Sequence, residues 1–511
     1  MRTPRRALAA LALGTAVTVL LTGCLAWFLP PSTDATSTPT DEEVAADLRP
    51  FYRQVLEWSS CGNGMQCTTA RAPMDWSDPT GAEIEIALVR QQATGDRLGS
   101  LLVNPGGPGG SGYDFVIESV DFAVSDRLQQ RFDIVGFDPR GVGRSSAVSC
   151  YDDPAVLDEY NYGIVPGEVG SEEWIAGLAA ANAAWGQSCL ENTGPLLEFV
   201  DTVSTARDLD LLRAVLGDEK LNFLGYSYGT FLGATYADLY PERTGRLVLD
   251  GALDPATTDF DVTATQAQGF ESAFRAYLTD CLGRSDCPFS GSVEDALERT
   301  RTIFDRLQAS PIPAPDGREL GVSTMFIAII LPLYNPDNWL YLDDLFAEVE
   351  DGGSSTAFFL ADAYNERNPN GTYANNGTEA FVAINCLDYV SDDSLEVMRA
   401  EAAELARLAP TFGPRMAYGG TGCAEWPFPS TRVREAISAA GSADILVLGT
   451  TNDPATPYVW AQSLAAQLEN GHLVTYVGEG HTAYNKSNSC VDDAVDDYFI
   501  DGVVPESDPM C

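Results

Sequence analysis

Leu221-Asn222-Phe223-Leu224-Gly225-Tyr226-Ser227-Tyr228-Gly229-Thr230 is the stretch that decides the fold. A short apolar run stops at G-x-S-x-G and passes into a helix-like segment, Phe231 to Leu239. That is the form of a nucleophile elbow, in which a serine stands on a sharp strand-to-helix turn with its hydroxyl pointing out of a sheet. Gly225 and Gly229 let the chain and its neighbours approach on either side. Serine is a weak nucleophile until a neutral imidazole takes its proton. The sequence offers two histidines for that task, His472 and His481.

His481 sits in Val477-Gly478-Glu479-Gly480-His481-Thr482, just after a strand-like run, Leu473 to Val477. Upstream, Asp444 to Gly449 reads as a buried strand that opens into Thr450-Thr451-Asn452-Asp453-Pro454-Ala455-Thr456-Pro457. The order Ser…Asp…His, with acid and base in loops past strands, is that of α/β-hydrolases. Asp453 is expected to hold the His481 ring in the productive tautomer and to stabilise the imidazolium. Two other acids compete. Asp444 precedes its strand, at the wrong end of a parallel sheet, and Asp254 follows the run Leu247 to Leu249. Asp453 is preferred because catalytic groups gather at the carboxyl ends of strands. His472, which starts a strand after Asn470-Gly471, reads as structural.

Acyl transfer also needs backbone N–H donors aimed at the developing oxyanion. One is expected from Tyr228, the residue after the nucleophile. The other is expected from Asn104-Pro105-Gly106-Gly107-Pro108-Gly109-Gly110-Ser111-Gly112, the loop after the apolar run Ser100 to Val103. This loop lacks the G-K-[S/T] ending of a phosphate loop. Pro105 and Pro108 also remove two N–H groups that a phosphate cradle would use.

The strands near 83–90, 100–103, 132–137, 221–225 and 246–250 precede a gap of about 190 residues, too long for a simple crossover. That gap carries helical spacing at 264–281, 293–307 and 395–408 and reads as a cap. The Asn- and Gly-rich stretch Asn365 to Gly377 reads as a mobile surface loop. The chain therefore divides into 1–24 as a signal segment, 25–43 as a disordered tether, 44–251 as the first part of an α/β-hydrolase core, 252–440 as the mainly helical cap, and 441–511 as the rest of the core.

Taken together, N-P-G-G-P-G-G-S-G, then F-D-P-R-G-V-G-R-S at Phe137 to Ser145, then G-Y-S-Y-G-T, then the Asp453 and His481 loops resemble the secreted tripeptidyl aminopeptidases of actinobacteria. These are serine peptidases related to the proline iminopeptidases, and the resemblance spans Asp41 to Cys511. It implies an α/β-hydrolase core, an inserted cap, and release of short peptides from free amino termini. Pro105 stands where proline iminopeptidases carry histidine, which leaves Gly107 as the second oxyanion donor. An esterase or lipase with the same triad, and a binding protein on a dead hydrolase scaffold, are the alternatives. An aminopeptidase must pair the substrate ammonium with a carboxylate. Asp388, in the apolar run Ala383 to Asp388, is the candidate, with Glu425 brought near by a Cys386–Cys423 bridge.

The amino terminus reads as a targeting segment: Arg2, Arg5 and Arg6, then the apolar stretch Ala7 to Leu21. Leu21-Thr22-Gly23-Cys24 resembles a bacterial lipobox, which makes Cys24 the expected lipidation site and the cell envelope, or the exterior, the expected location. Apart from Cys24, ten cysteines remain, an even number in an exported chain. Sequential pairing gives Cys61–Cys67, Cys150–Cys189, Cys281–Cys287, Cys386–Cys423 and Cys490–Cys511. No cysteine doublet with histidine partners suggests zinc, and no cofactor is expected. With 74 acidic against 30 basic residues and a net charge of −44, the surface repels nucleic acid. Peptides are the expected partners, and the sequence is silent on oligomeric state.

Overall fold

The runs Gly99–Asn104 and Phe132–Phe137 are buried at every position, a burial that only the interior of a sheet covered on both faces provides. The computed structural model describes residues 33 to 511. In chain order its main strands are β1 (Thr33–Thr36), β2 (Glu57–Gly62), β3 (Met65–Pro73), β4 (Glu83–Gln91), β5 (Gly99–Asn104), β6 (Phe132–Phe137), β7 (Leu221–Tyr226), β8 (Thr244–Asp250), β9 (Ile445–Asn452) and β10 (Gly471–Glu479). They form one sheet in the order β1-β2-β3-β4-β6-β5-β7-β8-β9-β10. β1 to β4 and the β4–β6 pair are antiparallel. From β6 to β10 all pairs are parallel. Asn104 lies opposite Gly225, Gly225 opposite Leu249, and Asp250 opposite Leu448. The strand ends are thus level, and the loops that follow them converge. This is the α/β-hydrolase fold.

Helices α1 (Gly112–Ala123), α2 (Thr202–Leu216) and α3 (Tyr228–Leu239) flank the sheet. α2 starts where Asp201 accepts from the N–H groups of Val203 and Ser204, and stops at left-handed Gly217. The F-D-P-R-G-V-G-R-S motif proves to be a brace. Arg140, fully buried, donates to both oxygens of Asp208 on α2 at 2.7 Å and to the carbonyls of Pro73, Met74 and Phe199. Asp138 accepts from Ser111 Oγ at 2.5 Å, Tyr113 N at 3.1 Å and Arg144 N at 2.7 Å. It therefore anchors the end of the glycine loop where α1 begins.

Between β8 and β9 lie helices 259–282, 293–309, 322–333, 339–350, 355–364, 377–388 and 395–408. Their aromatic side chains, among them Phe274, Phe304, Phe346 and Phe412, build an apolar cluster separate from those beside the sheet. The sequence reading missed a second helical excursion, 154–162 and 172–193, before α2. It joins the helical layer through Tyr162, which is buried in that cluster, and through an Asp158–Arg367 pair at 2.7 Å.

Two expectations of disorder are corrected. Part of the supposed tether is ordered: β1 pairs with β2, Thr40 N donates to Ala214 O, and Glu42 lies 2.8 Å from Arg213. Edge-strand pairing and an ion pair supply the order that the polar composition does not. The stretch 365–377 is likewise pinned, because Tyr373 donates to Asp158 and Asn376 bridges Gly143 N to the carbonyls of Gly141 and Val148. All five disulfides form in the sequential pairing. Cys24 and the rest of the signal segment lie outside the described residues.

Candidate active site

Ser227 caps β7 with φ 54° and ψ −121°, a left-handed backbone unusual for a residue with a side chain. The turn is tight: a β-carbon on Gly225 would lie 2.3 Å from Gly229 O. Ser227 N–H donates to the carbonyl of Asp250 at the end of β8, at 2.9 Å. Tyr228 opens α3, so its N–H has no acceptor within the helix. Gly106 packs against this corner, since a β-carbon there would lie 2.9 Å from Ser227 Cβ and 3.1 Å from Tyr228 N. Gly107 follows at φ 110°. The loop expected to supply the second oxyanion donor therefore lies against the serine.

Asp453 and His481 meet across the ends of β9 and β10. His481 Nδ1 is 2.9 Å and 3.0 Å from the two Asp453 oxygens. Asp453 is 2 % exposed and also accepts from Ala455 N, Thr456 N, Thr456 Oγ and Thr482 N, at 2.8 to 3.1 Å. Donors on every side fix this carboxylate in one orientation. Nε2, the far ring nitrogen, is left for a substrate-side proton. His481 draws its partners from Asp453, Thr456 and the Tyr334 carbonyl. Among the described residues no hydrogen bond joins His481 to Ser227; a base–nucleophile bond of this kind often tightens only in the substrate complex. The competing acids are engaged elsewhere: Asp254 accepts from Gln467 at 2.7 Å, and Asp444 lies 2.8 Å from His472.

Three residues of this site escaped the sequence reading. Thr456 Oγ sits 3.0 Å from Asp453 Oδ2 and 3.2 Å from His481 Nδ1, bridging acid and base. Its signal was legible, a hydroxyl three residues after an aspartate in a loop. Tyr334, from the segment between β8 and β9, accepts His481 N–H at 2.8 Å and lays its ring 5.2 Å from the imidazole. Asp250, fully buried, accepts from Ala483 N and Tyr484 N at 2.8 to 3.0 Å, while its own carbonyl holds Ser227. It ties the serine turn to the histidine loop, and burial raises its carboxyl above the ordinary range. Nothing local in the sequence marks Tyr334 or Asp250.

Asp388 requires a correction. It is 1 % exposed, and its oxygens accept from Thr202 N at 3.0 Å and Thr202 Oγ at 2.5 Å, with Arg432 at 3.8 Å. Thr202 Oγ is in turn hydrogen-bonded to the Tyr228 hydroxyl. A substrate ammonium cannot reach a carboxylate already enclosed and occupied. Asp388 instead stands behind Tyr228, and burial pushes its carboxyl up to about 6. Glu425 is exposed; the Cys386–Cys423 bridge holds its segment near that of Asp388, and no hydrogen bond or ion pair joins the two acids. Among the described residues no cluster of His, Cys, Asp and Glu has the arrangement of a metal site.

A serine on a strained elbow, followed in the chain by an acid and a histidine on successive parallel strands, defines an α/β-hydrolase of the serine-nucleophile class. The chain is 37 % identical over 490 residues to the serine protease Hip1 of Mycobacterium tuberculosis, covering 90 % of this chain and 92 % of that protein, and it belongs to the same family. It is 34 % identical to carboxylesterase B of the same organism over 96 % of each chain. It is 29 % identical to the tripeptidyl aminopeptidase of Streptomyces lividans over 90 % of this chain and 87 % of the other. The family model described as TAP-like protein matches residues 409–511.

Proposed function

We propose that this protein is an exported serine exopeptidase that releases short peptides, tripeptides in the first instance, from free amino termini. The observation that carries the proposal is the Asp453–His481 pair, bonded at 2.9 Å on the loops beside the strained Ser227 elbow, in a chain that shares nearly its whole length with a protease and an aminopeptidase.

In this reading His481 Nε2 takes the Ser227 proton as Oγ attacks the scissile carbonyl carbon. Negative charge then develops on the carbonyl oxygen, toward the N–H groups of Gly107 and Tyr228. The C–N bond breaks, and the imidazolium gives its proton to the leaving amine. Water, deprotonated by the same imidazole, hydrolyses the acyl-enzyme. Asp453 fixes the ring and stabilises its charged form; Thr456, Tyr334 and Asp250 hold that arrangement in place. The protein is anchored to the outer face of the cytoplasmic membrane by a lipid on Cys24.

The test is a panel of amino-acyl, dipeptidyl and tripeptidyl reporters, each with a free and a blocked amino terminus, run on wild type and Ser227→Ala. Selective turnover of free-amine tripeptides, abolished in the serine variant, supports the reading. A second reading, an esterase using the same residues, is favoured by the similarity to carboxylesterase B. Equal turnover of blocked substrates and simple esters would establish it instead.

A further inference from the structure

Beside the serine elbow lies a cavity of about 130 Å³. Its lining includes Pro105 of the glycine loop, Tyr226, which precedes Ser227, and His481, the proposed base. Phe115 and Phe122 form its aromatic wall, packed edge to face at 6.3 Å, with Phe115 also edge-on to Tyr226 at 5.9 Å. The Tyr226 hydroxyl is spent on Ala123 O at 2.7 Å, so it presents only its ring. Besides the histidine, the cavity's one basic wall residue is Lys486, and no carboxylate lines it.

Lys486 is unusual in this chain. It is one of only two lysines in a protein of net charge −44. Its ammonium lies 5.4 Å from the centroid of the Phe122 ring, and among the described residues it forms no ion pair. The loop that carries it is held firmly. Its neighbour Asn485 adopts φ 61° and donates to the carbonyls of Asp121 and Phe122 at 2.8 and 3.0 Å, while Asp492 accepts Asn485 N–H at 2.8 Å. Lys486 as a residue is solvent-exposed; packing around its ammonium lowers its pKa, and the Asp250 and Asp453 carboxylates draw it partly back. A lone, loop-clamped cation over an aromatic wall fits an anionic group that brings a short apolar stem.

The side of the reaction follows from His481. Its proton goes to the departing amine, so a cavity walled by His481 is placed to receive the residue on the leaving-group side. We propose that this cavity is the subsite for the first residue after the scissile bond, and that Lys486 makes it select acidic side chains and reject cationic ones. The inference rests on the peptidase reading above.

The experiment uses the full-length protein and two peptide series with free amino termini. In the first, the residue after the scissile bond is Glu, Gln, Leu or Lys. In the second, that residue is fixed and the one before the bond is varied through the same four. The readout is the ratio of kcat/KM for Glu over Lys within each enzyme, so that any general loss of activity cancels. Wild type is expected to favour Glu at least tenfold in the first series, and less so as salt screens the pair. Lys486→Met should bring the ratio near one, and Lys486→Glu should invert it. A wild-type ratio near one, a ratio unmoved in both variants, or a ratio that changes in the second series instead would overturn the subsite. A wild type that hydrolyses a small activated ester but none of the peptides would refute the peptidase reading itself, a separate failure.

Discussion

Replacing Asp453 by asparagine exchanges one oxygen of a five-donor acceptor for an NH₂ group. The structure offers two placements. With the amide nitrogen in the Oδ1 position, it faces the N–H groups of Ala455 and Thr456, at 2.9 and 2.8 Å. With the nitrogen in the Oδ2 position, it faces one backbone donor, Thr482 N at 3.1 Å, and Thr456 Oγ can turn to accept. The second placement leaves one buried donor unsatisfied rather than two, at about 1–3 kcal/mol, and is the one the variant should take. The new N–H then points at His481 Nδ1, which must accept, so Nε2 carries the ring proton and cannot take one from Ser227. A wrong tautomer of this kind costs about ten-thousandfold in kcat for serine proteases, roughly 5 kcal/mol of barrier. Burst kinetics on an activated ester and urea unfolding measure the two costs separately. An Asp453→Asn variant that keeps more than a tenth of wild-type kcat while unfolding normally would refute this reasoning.

Thr456→Val should lose about 1 kcal/mol of stability and about tenfold in kcat, read from the melting temperature and steady-state rates, because one hydroxyl serves both acid and base. Arg140→Lys should destabilise by about 3–5 kcal/mol in urea titration, since Asp208 is left buried with its bidentate partner gone. Asp388, pushed up to about 6 by burial, binds its proton more tightly folded than unfolded, so its contribution to stability is present at low pH and is lost as pH rises through about 6. Asp388→Asn should therefore gain stability relative to wild type between pH 4 and pH 7, and equal pH curves would show that the carboxyl titrates normally. Cys24→Ser should abolish lipid attachment and membrane partitioning, as mass spectrometry of the mature amino terminus would record.

The parts of the site that lie within a few residues of one another are legible in the sequence alone. G-Y-S-Y-G implies the elbow because only small residues tolerate its approaches, and the acid and base announce themselves as loops at the ends of apolar runs. What joins those parts is not legible there. Asp250 connects Ser227 to Ala483 through space, Tyr334 reaches His481 from the helical segment, and Thr202 connects Asp388 to Tyr228. No periodicity records such pairings. Asp388 illustrates the cost: an acid in an ordered apolar run is as readily an internal acceptor as a ligand, and only burial distinguishes the two. Residues 33–43 and 365–377 defeat the sequence reading for a related reason, since their order comes from partners far away in the chain.

The order of these segments also sets a sequence in time. Ser227 is made before residues 252–440, and Asp453 and His481 only after them. The two strands that carry the acid and the base also contribute Leu446, Leu448 and Val474 to the apolar cluster beneath the site. A chain leaving the ribosome thus presents its nucleophile and its helical layer while it still lacks a base to activate the serine. The triad is complete only once the last two strands have docked. For a hydrolase, this delay is a form of latency written into the polypeptide.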